Sequence, residues 1–133
     1  MKEITKLMIN EYKIKQLGYD FMGYTFVKTS ELSYHHLIIP RRHNGPMTKE
    51  NGAILKQDTS HNYLHKIERI DPEIFFLISS ELIDENIKGR LDIENLKRIR
   101  DLLVYFENEH SNDLTKKGQY VIKQEYMTNR IDL

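Results

Sequence analysis

The chain has no cysteine among its 133 residues, so neither disulfides nor thiolate-ligated zinc can hold the fold together. Any bound metal must be held by His, Asp, Glu or Asn side chains. No apolar run approaches the roughly 20 residues needed to span a bilayer. The opening stretch MKEITKLMINEYK is charged throughout and lacks the apolar centre of a signal peptide. A cytoplasmic protein with no membrane partner is expected. Neither sign of charge is in excess, since 20 Lys and Arg balance 20 Asp and Glu, which argues against a generic nucleic-acid coat. Repeats and low-complexity segments are absent too. The length is that of one domain with a single modest core.

The charges are unevenly spread. Residues 28–66 hold six Lys/Arg against three Asp/Glu, whereas residues 67–113 hold six against twelve. The middle of the chain is basic and the following segment acidic. Five of the six histidines, His35, His36, His43, His61 and His65, fall in the basic middle. A local basic patch can guide a polyanion even when the whole molecule is neutral.

Residues 2–16 space apolar positions by three and four, which predicts an amphipathic helix ended by Gly18. GYTFVKT (23–29) and LSYHHLII (32–39) are rich in aromatic and β-branched residues and read as strands, the second closed by Pro40. The turn signals Asn44-Gly45-Pro46 and Asn51-Gly52 mark a loop over 41–52, long enough to invite a functional explanation. AILKQ (53–57) reads as a short strand, and Asp58, Thr59 and Ser60 offer N-cap oxygens for a helix opening near His61. Further helical patterns cover 72–88 and 92–109, and a last one about 116–129. Tyr19, Phe21, Tyr24, Phe26 and Tyr34 are expected in the core, with stacking on nucleic-acid bases as the alternative.

The informative feature is an order of elements: a strand carrying His35-His36, a loop with Asn51, a second strand, then a helix bearing His61 and His65. His61 and His65 lie four apart, so their imidazoles share a helix face one turn from each other, a spacing that suits two nitrogen ligands on one divalent ion. Alone, a helical H-x-x-x-H pair is a common accident, a His-His on a strand more so, and Asn51-Gly52 is by default a turn. Their joint order within 31 residues, each on the element a site would require, is what points to chemistry.

The string YHHLIIPRRHNGPMTKENGAILKQDTSHNYLHKIE resembles the motif of HNH (His-Me finger, ββα-metal) endonucleases. Its spacing is similar to that of colicin-type DNases, and HHLIIPRR followed by TKEN is similar to the pattern of phage and restriction HNH nucleases. The CxxC pairs that bind structural zinc in many of these proteins are missing. The resemblance covers about 35 of the 133 residues and implies the following roles. His35, His61 and His65 would hold one divalent metal ion (zinc, nickel, manganese or magnesium). The all-histidine set suits zinc or nickel better than magnesium, which prefers oxygen. His36 would be the general base for an attacking water, and Asn51 would fix the loop and orient His36, or touch the metal. Arg41, Arg42 and Lys49 would contact phosphates, with a solvated charged loop as their alternative reading.

The expected fold is α+β: a ββα-metal finger at 34–66 in one domain over 1–133, packed against about three to four helices, with 67–133 as a helical cap. The expected activity is metal-dependent hydrolysis of DNA, or else RNA. The rival is a non-catalytic protein on the same scaffold, an inhibitor or accessory factor that binds nucleic acid or, through the acidic face of 67–113, a protein partner.

Overall fold

Aromatic and branched residues around His35 can form a strand only where a partner is available to pair with. In the computed structural model, which describes residues 1–110 and 122–133, β1 (Leu32–His36) pairs antiparallel with β2 (Gly52–Lys56). The register sets His35 opposite Ala53 and His36 opposite Gly52. The strand expected over 32–39 stops at 36: Leu37 N–H still reaches the Asn51 carbonyl at 2.8 Å, but the two backbone donors after it are taken by a side chain. Asn51 Oδ1 accepts from the N–H groups of Ile38 and Ile39 at 2.8 and 2.9 Å, and its amide nitrogen donates to the carbonyls of Ile39 and Pro46, both at 3.0 Å. One buried amide thus closes the loop on itself. A Cβ at Gly52 would sit 2.0 Å from the ring of Tyr34, whose hydroxyl is tied to the Thr48 carbonyl at 2.6 Å. Glycine is therefore required where the loop rejoins the sheet.

The helices after the sheet follow the apolar periodicity. α3 covers Asn62–Ile70, α4 Pro72–Lys88 and α5 Ile93–Glu109. Asp71 caps α4 by accepting from Ile74 N at 3.2 Å, Pro72 fills the first position, and Gly89 ends the helix at φ 71°. Asp92 caps α5 in the same way, accepting from Glu94 N.

Three expectations need correction. The helix predicted over 2–16 is two helices, α1 (Glu3–Glu11) and α2 (Ile14–Leu17), broken by Lys13 at φ 56°. Tyr12 and Ile14 are both buried, yet two residues apart on one helix lie about 200° around its axis, so the break lets both face the core. Residues 23–29 form no strand: Tyr24 and Thr25 bridge single residues, Arg130 and Tyr19, and no described segment extends the ladder. Asp58, Thr59 and Ser60 do not act as side-chain caps. Gln57–His61 instead make a π-helical turn that runs directly into α3. Of the helix predicted over 116–129, residues 116–121 lie outside the described residues, and Gln124–Met127 form the short α6.

The architecture is α+β, with a two-stranded sheet and helices packed on it from both ends of the sequence. α1 lies against both strands, and α4 packs on α3 and α5, so the cap is not confined to residues 67–133. One contiguous core joins Met8 and Tyr12, the turn at Phe21–Tyr24, the two strands and helices α3 to α5. The inner face of α3 is fixed by Tyr63, whose hydroxyl donates to Glu107 at 2.7 Å, while Arg130 grips the same carboxylate with two N–H bonds. The C-terminal segment is thereby tied to the helix that carries His61 and His65.

Asp20 forms the second tie. Its side chain is fully buried; Oδ1 accepts from the N–H groups of Met22 and Tyr24, and Oδ2 accepts from Lys56 N at 2.7 Å and from the Ser60 hydroxyl. Burial pushes its pKa up, and the four donors oppose that shift. Asp20→Ala should lower the unfolding free energy by at least about 3 kcal/mol, because each buried donor left unpaired costs about 1–3 kcal/mol. Urea denaturation measures this. A loss under about 0.5 kcal/mol, the range of ordinary surface substitutions, would show that the tie contributes nothing.

Candidate functional site

Alternation along β1 decides which side chains share a face. Ser33 and His35 face α3, while Tyr34 and His36 lie on the other face, their rings 5.0 Å apart. The His35 ring centre is 5.0 Å from that of His61 and 5.2 Å from that of His65, and His61 and His65 are 5.1 Å apart. One ring nitrogen from each of the three lies within 4.8 Å of the others. Among the described residues this is the one such convergence of three potential metal-ligating side chains. The π-helical turn sets the position of His61 at its last residue, and such wide turns recur at functional sites.

The electrostatics suit a cation. Burial, followed by the neighbouring histidines, holds the His35 pKa well below its ordinary value, and the same causes bring His61 down to about 4. Both imidazoles are therefore neutral at pH 7, the form that binds metals. The donor set fits a single divalent ion, since three imidazoles each offer one ring nitrogen to the same point, and zinc is commonly held by such nitrogens. His61 and His65 also have partners outside the cluster, since Ser33 Oγ lies 2.6 Å from His61 Nδ1 and Glu68 Oε1 lies 3.4 Å from His65 Nδ1.

The cluster opens into a cleft of about 780 Å³ that is also lined by His36, Arg41, Arg42 and Glu68. His36 is half-buried, and its Nε2 is buried with no hydrogen-bond partner among the described residues. Arg41 and Arg42 are exposed at the rim. Lys49 does not line this cleft. Its ammonium pairs with Glu11 of α1 at 2.9 Å. Asn51 spends its side chain on loop backbone rather than on His36 or the three-histidine cluster, so its place is structural support of the cleft wall. His110 sits elsewhere, 3.1 Å from Asp71 at the head of α4. Phe21, Tyr24 and Tyr34 are buried in the core.

Sequence reasoning missed Ser33, Glu68 and Asp20. The first two carried a faint signal: Ser33 is two residues before His35 on one strand face, and Glu68 is one helical turn after His65. Asp20 carried none, since its partners Lys56 and Ser60 are 36 and 40 residues away.

No known protein family, curated protein or solved structure matches this chain.

The depressed histidine pKa values set a pH dependence for the metal-free protein. Below the ordinary value of 6.5 the unfolded chain binds protons that folded His35 and His61 refuse, so unfolding takes up protons and stability falls as pH drops from about 6.5 toward 4. Above 6.5 these groups contribute no slope. Denaturation midpoints between pH 5 and 8 should show this, and His61→Gln should flatten the acid limb. An acid limb equally steep in that variant would contradict the assignment.

Proposed function

We propose that the protein is a divalent-metal-dependent endonuclease that hydrolyses DNA phosphodiester bonds on a ββα-metal finger of the HNH type. The observation that carries this reading is the convergence of His35, His61 and His65 in a cleft shared with His36 and rimmed by two arginines. The order of strand, clamped loop, strand and helix is the order that such a finger requires, and the resemblance of residues 34–66 to HNH nucleases points the same way.

In this reading His35, His61 and His65 hold one ion, and their nitrogen set favours zinc or nickel over magnesium. The bound ion supplies Lewis-acid stabilisation of charge at the phosphate and at the departing 3′ oxygen. His36, on the opposite strand face from His35, takes the proton of the attacking water. Its Nε2 is buried with no partner among the described residues, so the water would have to be met by the other ring nitrogen, Nδ1. Arg41 and Arg42 grip the phosphates flanking the scissile one, as exposed guanidinium groups do without regard to sequence. Asn51 acts as a positioning residue that holds their loop. Lys49, paired with Glu11, has no part in this scheme.

His36→Ala should abolish nicking of plasmid DNA while leaving metal and DNA binding near wild type, because removing a general base costs about 10²–10⁴-fold in rate. The assay runs duplex DNA, single-stranded DNA and RNA against magnesium, manganese, nickel and zinc. Wild type that binds DNA but cuts none of these substrates with any metal would leave the scaffold as a binding module. A variant that cuts as fast as wild type would place the activity elsewhere.

Reversing Arg41 and Arg42 to Glu should weaken binding to unrelated DNA sequences about equally. It should also reduce the slope of log affinity against log salt by about 2, one for each phosphate that is no longer neutralised. An unchanged slope would remove the two arginines from the interface.

A further inference from the structure

The side chain behind His61 decides whether that histidine can be a ligand at all. A neutral imidazole carries one N–H and one lone pair, and only the lone pair binds a metal. Ser33 Oγ lies 2.6 Å from His61 Nδ1 and 3.2 Å from the carbonyl oxygen of Leu55, the residue paired with Ser33 across the sheet. A carbonyl can only accept. The single hydroxyl proton can serve one neighbour, and only one arrangement satisfies both: the hydroxyl donates to Leu55 O, and Nδ1–H of His61 donates to Oγ. The lone pair is then on Nε2. The opposite arrangement would leave the hydroxyl–carbonyl contact without a proton and put the N–H on Nε2, leaving no lone pair there.

We infer that Ser33 is a positioning residue of the three-histidine cluster, one that relays His61 Nδ1–H to the Leu55 carbonyl and so fixes the tautomer whose Nε2 is free for a metal. Glu68 stands in the same relation to His65, since an ionised carboxylate can only accept from Nδ1, although at 3.4 Å the contact is looser. The strand makes Ser33 suitable: the alternation that turns His35 toward α3 turns Ser33 the same way, so ligand and support come from one five-residue strand. Partners of this kind, behind ligating histidines, hold ring orientation and raise ligand basicity. The inference rests on the metal-site reading above, but the tautomer is a property of the metal-free protein and can be read separately.

Two measurements test it. Long-range nitrogen–proton NMR of the imidazoles in the metal-free wild type should find His61 protonated on Nδ1, and Ser33→Ala should populate the other tautomer. Zinc chloride titrated against a competing chromophoric chelator should bind Ser33→Ala about 10–100-fold more weakly, the usual effect of removing such a partner, and Ser33→Thr, which keeps the hydroxyl, should restore most of the affinity. His61 protonated on Nε2 in the wild type overturns the inference, whatever the zinc result. So does a Ser33→Ala protein with wild-type zinc affinity and an unchanged tautomer. Wild type that binds no zinc, nickel or manganese, with His61 still held on Nδ1–H by Ser33, overturns the metal reading and leaves the relay standing.

Discussion

The carboxylate of Asp20 is the constraint on which the site's geometry depends. Two backbone donors of the turn at 20–24 meet one of its oxygens, and the N–H of Lys56 and the hydroxyl of Ser60 meet the other. Lys56 ends β2, and Ser60 immediately precedes His61. The carboxylate therefore fixes the corner at which the chain leaves the sheet and enters the ligand-bearing helix. Such a group is costly to bury without partners; with four donors it sets one geometry at the junction. The π-helical turn at that corner is held on its buried side by Ser60 and on its cleft side by the contact of His61 with Ser33.

A second polar group does the same for the opposite wall. Asn51 makes four hydrogen bonds to loop backbone, and it ends β1 by taking the N–H groups that a longer strand would have paired. The loop is thereby turned so that Arg41 and Arg42 reach the cleft rim and Lys49 faces α1. In a chain without disulfides, these satisfied buried polar groups supply the specificity that apolar packing alone lacks. The Tyr63–Glu107–Arg130 cluster completes the set by tying α3 to α5 and to the C-terminal segment.

The cleft is electrostatically divided. Its floor carries the neutral imidazoles of His35 and His61, kept so by burial and by the neighbouring histidines, and its rim carries the exposed Arg41 and Arg42. This division would be lost if His35 stood on the other strand face, because the register admits no shift of one residue without reversing every side chain.

What the sequence by itself determined was periodic and local. The spacing of apolar residues, with Asp71-Pro72, Gly89 and Asp92, sets α4 and α5 within a residue, because helix caps and amphipathic faces act over a few positions. The four-residue spacing of His61 and His65 puts both on one helix face wherever that helix packs. The convergence of His35 with that pair was readable only as an order of elements. Tertiary structure decided what lies between distant positions: the break at Lys13, which turns Tyr12 and Ile14 both inward; the failure of 23–29 to find a strand partner; the capture of Lys49 by Glu11; and the burial of Asp20 against Lys56 and Ser60. Each depends on which surface a residue meets across the core, and a local pattern of polarity carries no record of that surface.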